Sequence, residues 1–164
     1  MKEADRIARN DQRILTLYPT FANRIVRVIK RLEAQGFRPR IQDAWRSPQE
    51  QKIAFDSGHS KLRFGFHNIT NANGKPEALA IDLLDDDVPS NPSSVYMLKL
   101  AAAAEAEGLC TGIRWGLPIK LQSAIDEAIA NGAWDARIKI GWDPLHVQSA
   151  NLTVSEARLG KRPL

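Results

Sequence analysis

Ala78-Leu79-Ala80-Ile81-Asp82-Leu83-Leu84 is an apolar run broken once, by a carboxylate. A run of this length and composition reads as a buried strand. Alternation along it puts Ala78, Ala80 and Asp82 on one face. A buried acid is costly unless something pairs with it. The two small residues beside Asp82 leave room for a metal or a ligand. A salt-bridge or capping partner at a strand end is the other reading.

Working outward, Phe21, Ile25, Val28, Ile29 and Leu32 recur at steps of three and four, which marks an amphipathic helix ended by Gly36. Phe37 to Trp45 reads as a strand centred on Ile41. Ser47-Pro48-Gln49-Glu50 opens a helix, with a Ser cap, Pro at the first position and Glu at the third. It runs to about Asp56 and stops before Gly58. Residues 57–77 are polar and rich in Gly and Asn, hence loop. Asp85-Asp86-Asp87 reads as a solvated turn, since a calcium loop needs spaced ligands and a distal Glu. An Ala-rich helix covers about 94–107 and stops at Gly108. Ile113 to Trp115 is a short strand. Leu121, Ile125 and Ile129 line another helix, ended by Asn131-Gly132, and the last strand begins near His146. Helices and strands mix without a βαβ rhythm. The expected class is α+β, one domain over residues 1–164 with a small antiparallel sheet flanked by helices.

Composition is that of an ordinary globular protein: 164 residues, 43% hydrophobic and 26% charged. The single cysteine, Cys110, excludes an internal disulfide and a Cys-rich structural zinc site, and reads as a small apolar filler. The start has no apolar core or cleavage pattern, so the expectation is cytoplasmic synthesis without a signal peptide. No apolar run approaches the length of a membrane span. The net charge of +4 favours anionic partners. The basic residues from Arg6 to Arg40 interleave with apolar ones at helical spacing, which reads as a solvated helix face.

The end of the chain carries the chemistry. Trp142-Asp143-Pro144-Leu145-His146-Val147 holds an Asp-x-x-His, with Pro144 stiffening the turn between acid and imidazole. Only three histidines exist, and two of them, His67 and His146, join Asp82 in a set able to ligate a metal. Three protein ligands and one open position make a catalytic zinc site. Asp143 is then a second carboxylate beside it, placed to act as a base. His59 is the spare ligand. Each of these residues also has a bland reading: a structural His67, a turn Asp143, a strand His146. Arg46 sits at the join of strand and capped helix, where a guanidinium can hold a developing oxyanion.

Four segments in order resemble the M15 metallopeptidases, which include D-alanyl-D-alanine carboxypeptidases, D,D-dipeptidases and phage L-alanyl-D-glutamate endolysins. Ala44-Trp45-Arg46-Ser47-Pro48-Gln49-Glu50-Gln51 is similar to the family's aromatic-Arg-Ser-x-x-x-Gln. Ala78-Leu79-Ala80-Ile81-Asp82 resembles Gly-x-Ala-x-Asp, with Ala78 in place of Gly. Arg114-Trp115-Gly116 resembles its Trp-Gly element, and residues 142–147 its terminal acid-x-x-His. The similarity extends over about residues 20–150. Three departures stand out. Gly65 replaces a Ser, and a turn-forming insert, Asn71-Ala72-Asn73-Gly74, lengthens the stretch between His67 and Asp82. Leu117-Pro118 also follow the Trp-Gly element in place of a second Gly.

The resemblance implies a hedgehog/DD-peptidase-like fold with zinc on His67, Asp82 and His146. It implies Asp143 as general base and Arg46 as transition-state stabiliser, with Gln51 and Trp142 binding substrate. The implied partner is the peptidoglycan stem peptide, cut at L-Ala–D-Glu by a monomer acting on the cell wall after lysis or release, with no nucleic acid involved. A D-Ala–D-Ala carboxypeptidase and a non-catalytic wall- or protein-binding module are the alternatives. A metal nuclease is a weaker one, since no nucleic-acid motif accompanies the positive charge.

Overall fold

The apolar run that carries Asp82 becomes an interior strand. In the computed structural model, which describes all residues 1–164, the strands are β1 (Pro39–Asp43), β2 (Ala80–Asp85), β3 (Leu109–Gly112) and β4 (Asp143–Ser149). They form one sheet in the order β1-β2-β4-β3, every neighbouring pair antiparallel. Six helices surround it: α1 (Glu3–Ile14), α2 (Pro19–Glu33), α3 (Pro48–Asp56), α4 (Ser94–Ala106), α5 (Ile119–Asn131) and α6 (Val154–Arg158). The fold is α+β and a single domain. No helix is long and apolar enough to cross a membrane.

Strand alternation divides the sheet into two functions. Ile81 and Leu83 of β2 and Val147 of β4 join the main core with Phe21, Ile25 and Leu32 of α2 and Tyr96 and Leu100 of α4. Tyr96 is wholly buried and donates its hydroxyl to the Leu83 carbonyl at 3.1 Å, so the bulkiest core side chain leaves no polar atom unsatisfied. Asp82 and His146 take the opposite alternation and face away from this core. A smaller cluster, including Leu98, Ile113 and Ile125, holds α5 against α4.

The start of α3 forms as its sequence predicts: Ser47 Oγ accepts from Glu50 N, and Glu50 Oε2 accepts from Ser47 N. The α2, α3 and α4 positions likewise agree with the periodicity. Other elements differ from expectation. The third strand is Leu109–Gly112, and Ile113–Trp115 lies in the turn beyond it. The last strand begins at Asp143 rather than near His146. The strand expected over 37–45 is shorter, because its ladder shifts register between Ile41 and Asp43 and releases Ala44 and Trp45. Asp85 and Asp86 are buried, not solvated. Asp86 binds Arg40 at 2.7 Å and the N-terminal amine at 3.0 Å.

The basic N-terminal segment is also not a simple solvated face. It forms α1, whose few apolar residues hid it from a periodicity reading. Its polar side chains cover the outer edge of β1. Arg6 Nη1 and Asn10 Nδ2 donate to the Pro39 carbonyl, Ile41 N donates to Asn10 Oδ1, and Arg9 donates to the Ile41 and Gln42 carbonyls. An uncovered strand edge is a template for aggregation, and here it is satisfied by side chains. Arg6 is only 2% exposed and is paired with Glu3 and Glu33.

Arg6→Met is expected to lower the unfolding free energy by roughly 2 kcal/mol through the lost buried hydrogen bonds, measured by urea denaturation. Hydrogen bonds from Arg6 and then Arg38 hold the Glu3 carboxyl down to about 2 from an ordinary 4.5. Its folded pKa is depressed, so its contribution is complete above pH 4.5 and is lost as pH falls toward 2. Glu3→Gln should therefore flatten the acid side of the stability–pH curve and leave stability above that window insensitive to pH at this site.

Candidate metal centre

His67, Asp82 and His146 meet on the sheet face turned away from the main core. One ligand atom from each lies within 4.8 Å of the others. Asp82 and His146 are direct cross-strand partners on β2 and β4, so their side chains stand side by side. His146 Nδ1 is 3.1 Å from Asp82 Oδ1, and His67 Nε2 is 3.7 Å from the same oxygen. Ligand atoms about 2.0–2.1 Å from a tetrahedral metal lie about 3.3 Å apart, so these spacings suit a small divalent ion.

The orientation of each imidazole suits it as well. A 3-10 turn, Phe66–Asn68, carries His67 into the site. The His67 ring places Nδ1 2.5 Å from the Ala44 carbonyl, which can only accept, so Nδ1 carries a proton. Nε2 is thereby turned toward Asp82, and it is buried with no hydrogen-bond partner. A metal ion fits that orphaned nitrogen and substitutes for any second proton the ring would bind there. In His146 the far nitrogen, Nε2, lies 3.0 Å from Gln148 Oε1, which leaves Nδ1 for the shared centre. Gln148 stands two residues along β4 and so on the same strand face.

The electrostatics keep the acid ionised. Burial works to raise the Asp82 carboxyl, but the nearby charge of His67 and the hydrogen bond and charge of His146 outweigh it and hold the group far below the usual carboxylate range. Burial would likewise depress His146, and the hydrogen bond and charge of Asp82, helped by Asp143, raise it instead. Arg46 closes the second oxygen of Asp82: its Nη2 donates to Oδ2 at 2.8 Å, and its Nε donates to Asp43 Oδ2 at 2.8 Å. Its Nη1 donates to nothing in the protein.

Asp143 shares the cleft with these residues, and its carboxylate makes no hydrogen bond. Burial pushes its pKa up, and the positive charge of His146 opposes that. Two glycines place it. A Cβ on Gly112 would lie 2.2 Å from the Asp143 carbonyl oxygen, and one on Gly141 would lie 2.6 Å from the Ile113 carbonyl oxygen. Only hydrogen fits at either position, so the turn after β3 packs directly on the backbone entering β4.

The cleft over the centre has a volume of about 390 Å³. Trp115 tilts against Trp142 and His146, with ring centroids 5.4 and 5.2 Å away. Trp142 is 47% exposed at the cleft. Gln51, expected to orient substrate, lines the cleft but is 2% exposed and uses its amide nitrogen on Ser60 Oγ and the Leu62 carbonyl. His59 also lines the cleft and bonds to Ser57 Oγ at 2.8 Å, outside the three-residue ligand group. Sequence reading missed Gln148, Asp43, the Ala44 carbonyl and Lys61. Gln148 alone left a trace, the two-residue step from His146. No family model and no curated protein matches this chain.

Gln148→Ala should weaken divalent-ion binding by about 10–100-fold, the usual cost of losing a partner to a ligating imidazole. Isothermal titration with zinc measures it, beside His67→Ala, for which stoichiometric binding should be lost. Gly141→Ala should cost about 1–3 kcal/mol of stability by overpacking. Thermal unfolding of the metal-free chain measures that cost directly.

Proposed function

We propose that this protein is a zinc-dependent peptidase of the M15 type that cleaves the peptide stem of bacterial peptidoglycan, at the L-alanyl–D-glutamate bond. The observation that carries this reading is the convergence of His67, Asp82 and His146 in one cleft with Asp143, a carboxylate that has no protein partner. The order of the four sequence segments adds the family and the substrate class.

Zinc, when bound, would supply Lewis acidity, polarising a carbonyl and making water a stronger acid. The chain's own residues supply the rest. Asp143 accepts a proton from the attacking water and returns it to the leaving amine. Its partial burial favours the protonated form, which suits a group that must hold a proton between the two steps. Arg46 has two duties on two nitrogens: Nη2 holds Asp82 in place, and Nη1 is the donor left for the oxyanion that develops on the scissile carbonyl. Trp115 and Trp142 give the substrate backbone an apolar wall. These groups are common to endopeptidases and carboxypeptidases, and the termini of the products distinguish the two.

The test is mass spectrometry of soluble fragments released from purified peptidoglycan by the zinc-loaded protein, beside an Asp143→Ala control. The expected result is new fragments ending at L-Ala from the intact protein, and at least about 100-fold less from the control. Free D-Ala as the only soluble product would move the assignment to a carboxypeptidase. Fragments equal in both samples would remove Asp143 as the base. No fragments on any wall type would leave a binding module in place of the enzyme.

A further inference from the structure

Two permanently cationic side chains line the cleft, Arg46 and Lys61. The charge of Arg46 is already balanced, since Asp43 and Asp82 hold its Nη2 at 2.7 and 2.8 Å. Lys61 has no carboxylate within ion-pair distance. Its ammonium instead rests over the Trp142 ring, 4.2 Å from the centroid, and so reaches the residue preceding Asp143.

The backbone around Lys61 is held firmly, although its side chain is exposed. Buried Gln51 donates to Ser60 Oγ at 2.9 Å and to the Leu62 carbonyl at 2.5 Å, on either side of Lys61. Ser60 Oγ accepts from Leu62 N at 3.2 Å, and Ser60 N donates to the Ala54 carbonyl at 2.9 Å. Gln51 therefore anchors the backbone on both sides of Lys61. A cation–π contact at an exposed site is a weak interaction, and an ammonium–carboxylate contact inside a half-enclosed cleft is stronger. The ammonium is parked on an aromatic face and has a stronger partner to gain.

We infer that Lys61 recognises a carboxylate of the substrate, so that the cleft selects peptides bearing a negative charge next to the bond that reaches Asp143. This rests on the peptidase reading for its mention of a bond, but the recognition itself needs no turnover. The carboxylate has two possible sources, an acidic side chain within the peptide or a free C-terminus, and the experiment separates them.

The experiment is calorimetric titration of the metal-free full chain with four dipeptides. They are acetyl-Ala-D-Glu amide, its neutral counterpart acetyl-Ala-D-Gln amide, acetyl-Ala-D-Ala with a free C-terminus, and acetyl-Ala-D-Ala amide. The Trp142 indole signal, followed by NMR, reports whether the ammonium leaves the ring. The expected result is that one acidic peptide binds at least roughly tenfold more tightly than its neutral counterpart, that Lys61→Met erases the difference, and that Lys61→Arg restores most of it. Preference for the D-Glu peptide assigns an internal acid, and preference for the free D-Ala terminus assigns a C-terminal one. Zinc-loaded wild type that cleaves should show the Lys61→Met effect in KM with kcat nearly kept. Charge-selective binding without any cleavage supports Lys61 and removes the peptidase. Equal binding of charged and neutral peptides by the wild type, no binding of any, or a selectivity that Lys61→Met retains, overturns the inference.

Discussion

One partly buried carboxylate, Asp82, organises this molecule. It stands on an interior strand, where a lone charge is severely penalised, and each of its oxygens is met by a group from a different part of the chain. Oδ1 faces both imidazoles, one from the neighbouring strand and one from the 3-10 turn. Oδ2 accepts from Arg46 at the entry to α3. Together these partners offset the cost of enclosing the charge. The sheet order, the fold of the 57–77 segment and the start of α3 are therefore coupled through one side chain. Removing one partner leaves a buried charge short of compensation, a large penalty in any protein.

Around that centre lies a ring of residues whose task is orientation. The Ala44 carbonyl sets the His67 ring, Gln148 sets the His146 ring, and Asp43 shares the guanidinium that holds Asp82. Gly112 and Gly141 let two backbone segments touch, and that contact brings Asp143 and Trp142 to the cleft. The C-terminal segment contributes from a distance. Arg162 donates to Glu77 and to the Thr70 carbonyl, and Arg158 lies over Phe64, so the long stretch between His67 and Asp82 is held down at both ends. The insert at Asn71–Gly74 is a tight turn, with Asn71 accepting from Asn73 N and Lys75 N. Its residues 72–74 are exposed, and His67 and Asp82 still meet.

Charge is distributed unevenly across the cleft. Asp82, Asp143 and Asp43 lie on the sheet side, balanced by Arg46 and by the imidazoles. Lys61 lines the same cleft from the segment between α3 and the 3-10 turn, with no carboxylate paired to it. A metal on the sheet side and the Lys61 cation would give an anionic substrate two separate points of attraction, and long-range steering into such a cleft is strongest at low ionic strength.

Much of this architecture was legible in the residues. The α2 stripe, the Ser47 capping box, the apolar run around Asp82 and the Gly stops at Gly108 and Gly132 are local signals, each written within one or two turns of chain. The convergence of His67, Asp82 and His146 was legible too, because histidine is rare here and imidazoles with acids suit few tasks. What stayed hidden depends on distant pairings. α1 was invisible because its stabilisation comes from Arg6, Arg9 and Asn10 on a strand some thirty residues later, not from an apolar stripe. The burial of Asp86 is compensated by Arg38, Arg40 and the N-terminal amine, and Asp85 accepts from the Arg38 backbone N–H. Residue type and short-range periodicity settled which groups exist and which elements carry them. The cross-strand pairing of Asp82 with His146, 64 positions apart, decided which nitrogen turns inward, and the packing of Arg46 and Gln51 decided which donors stay free. Hydrogen-bond direction is a property of neighbours in space, and those neighbours exist only once the sheet has closed.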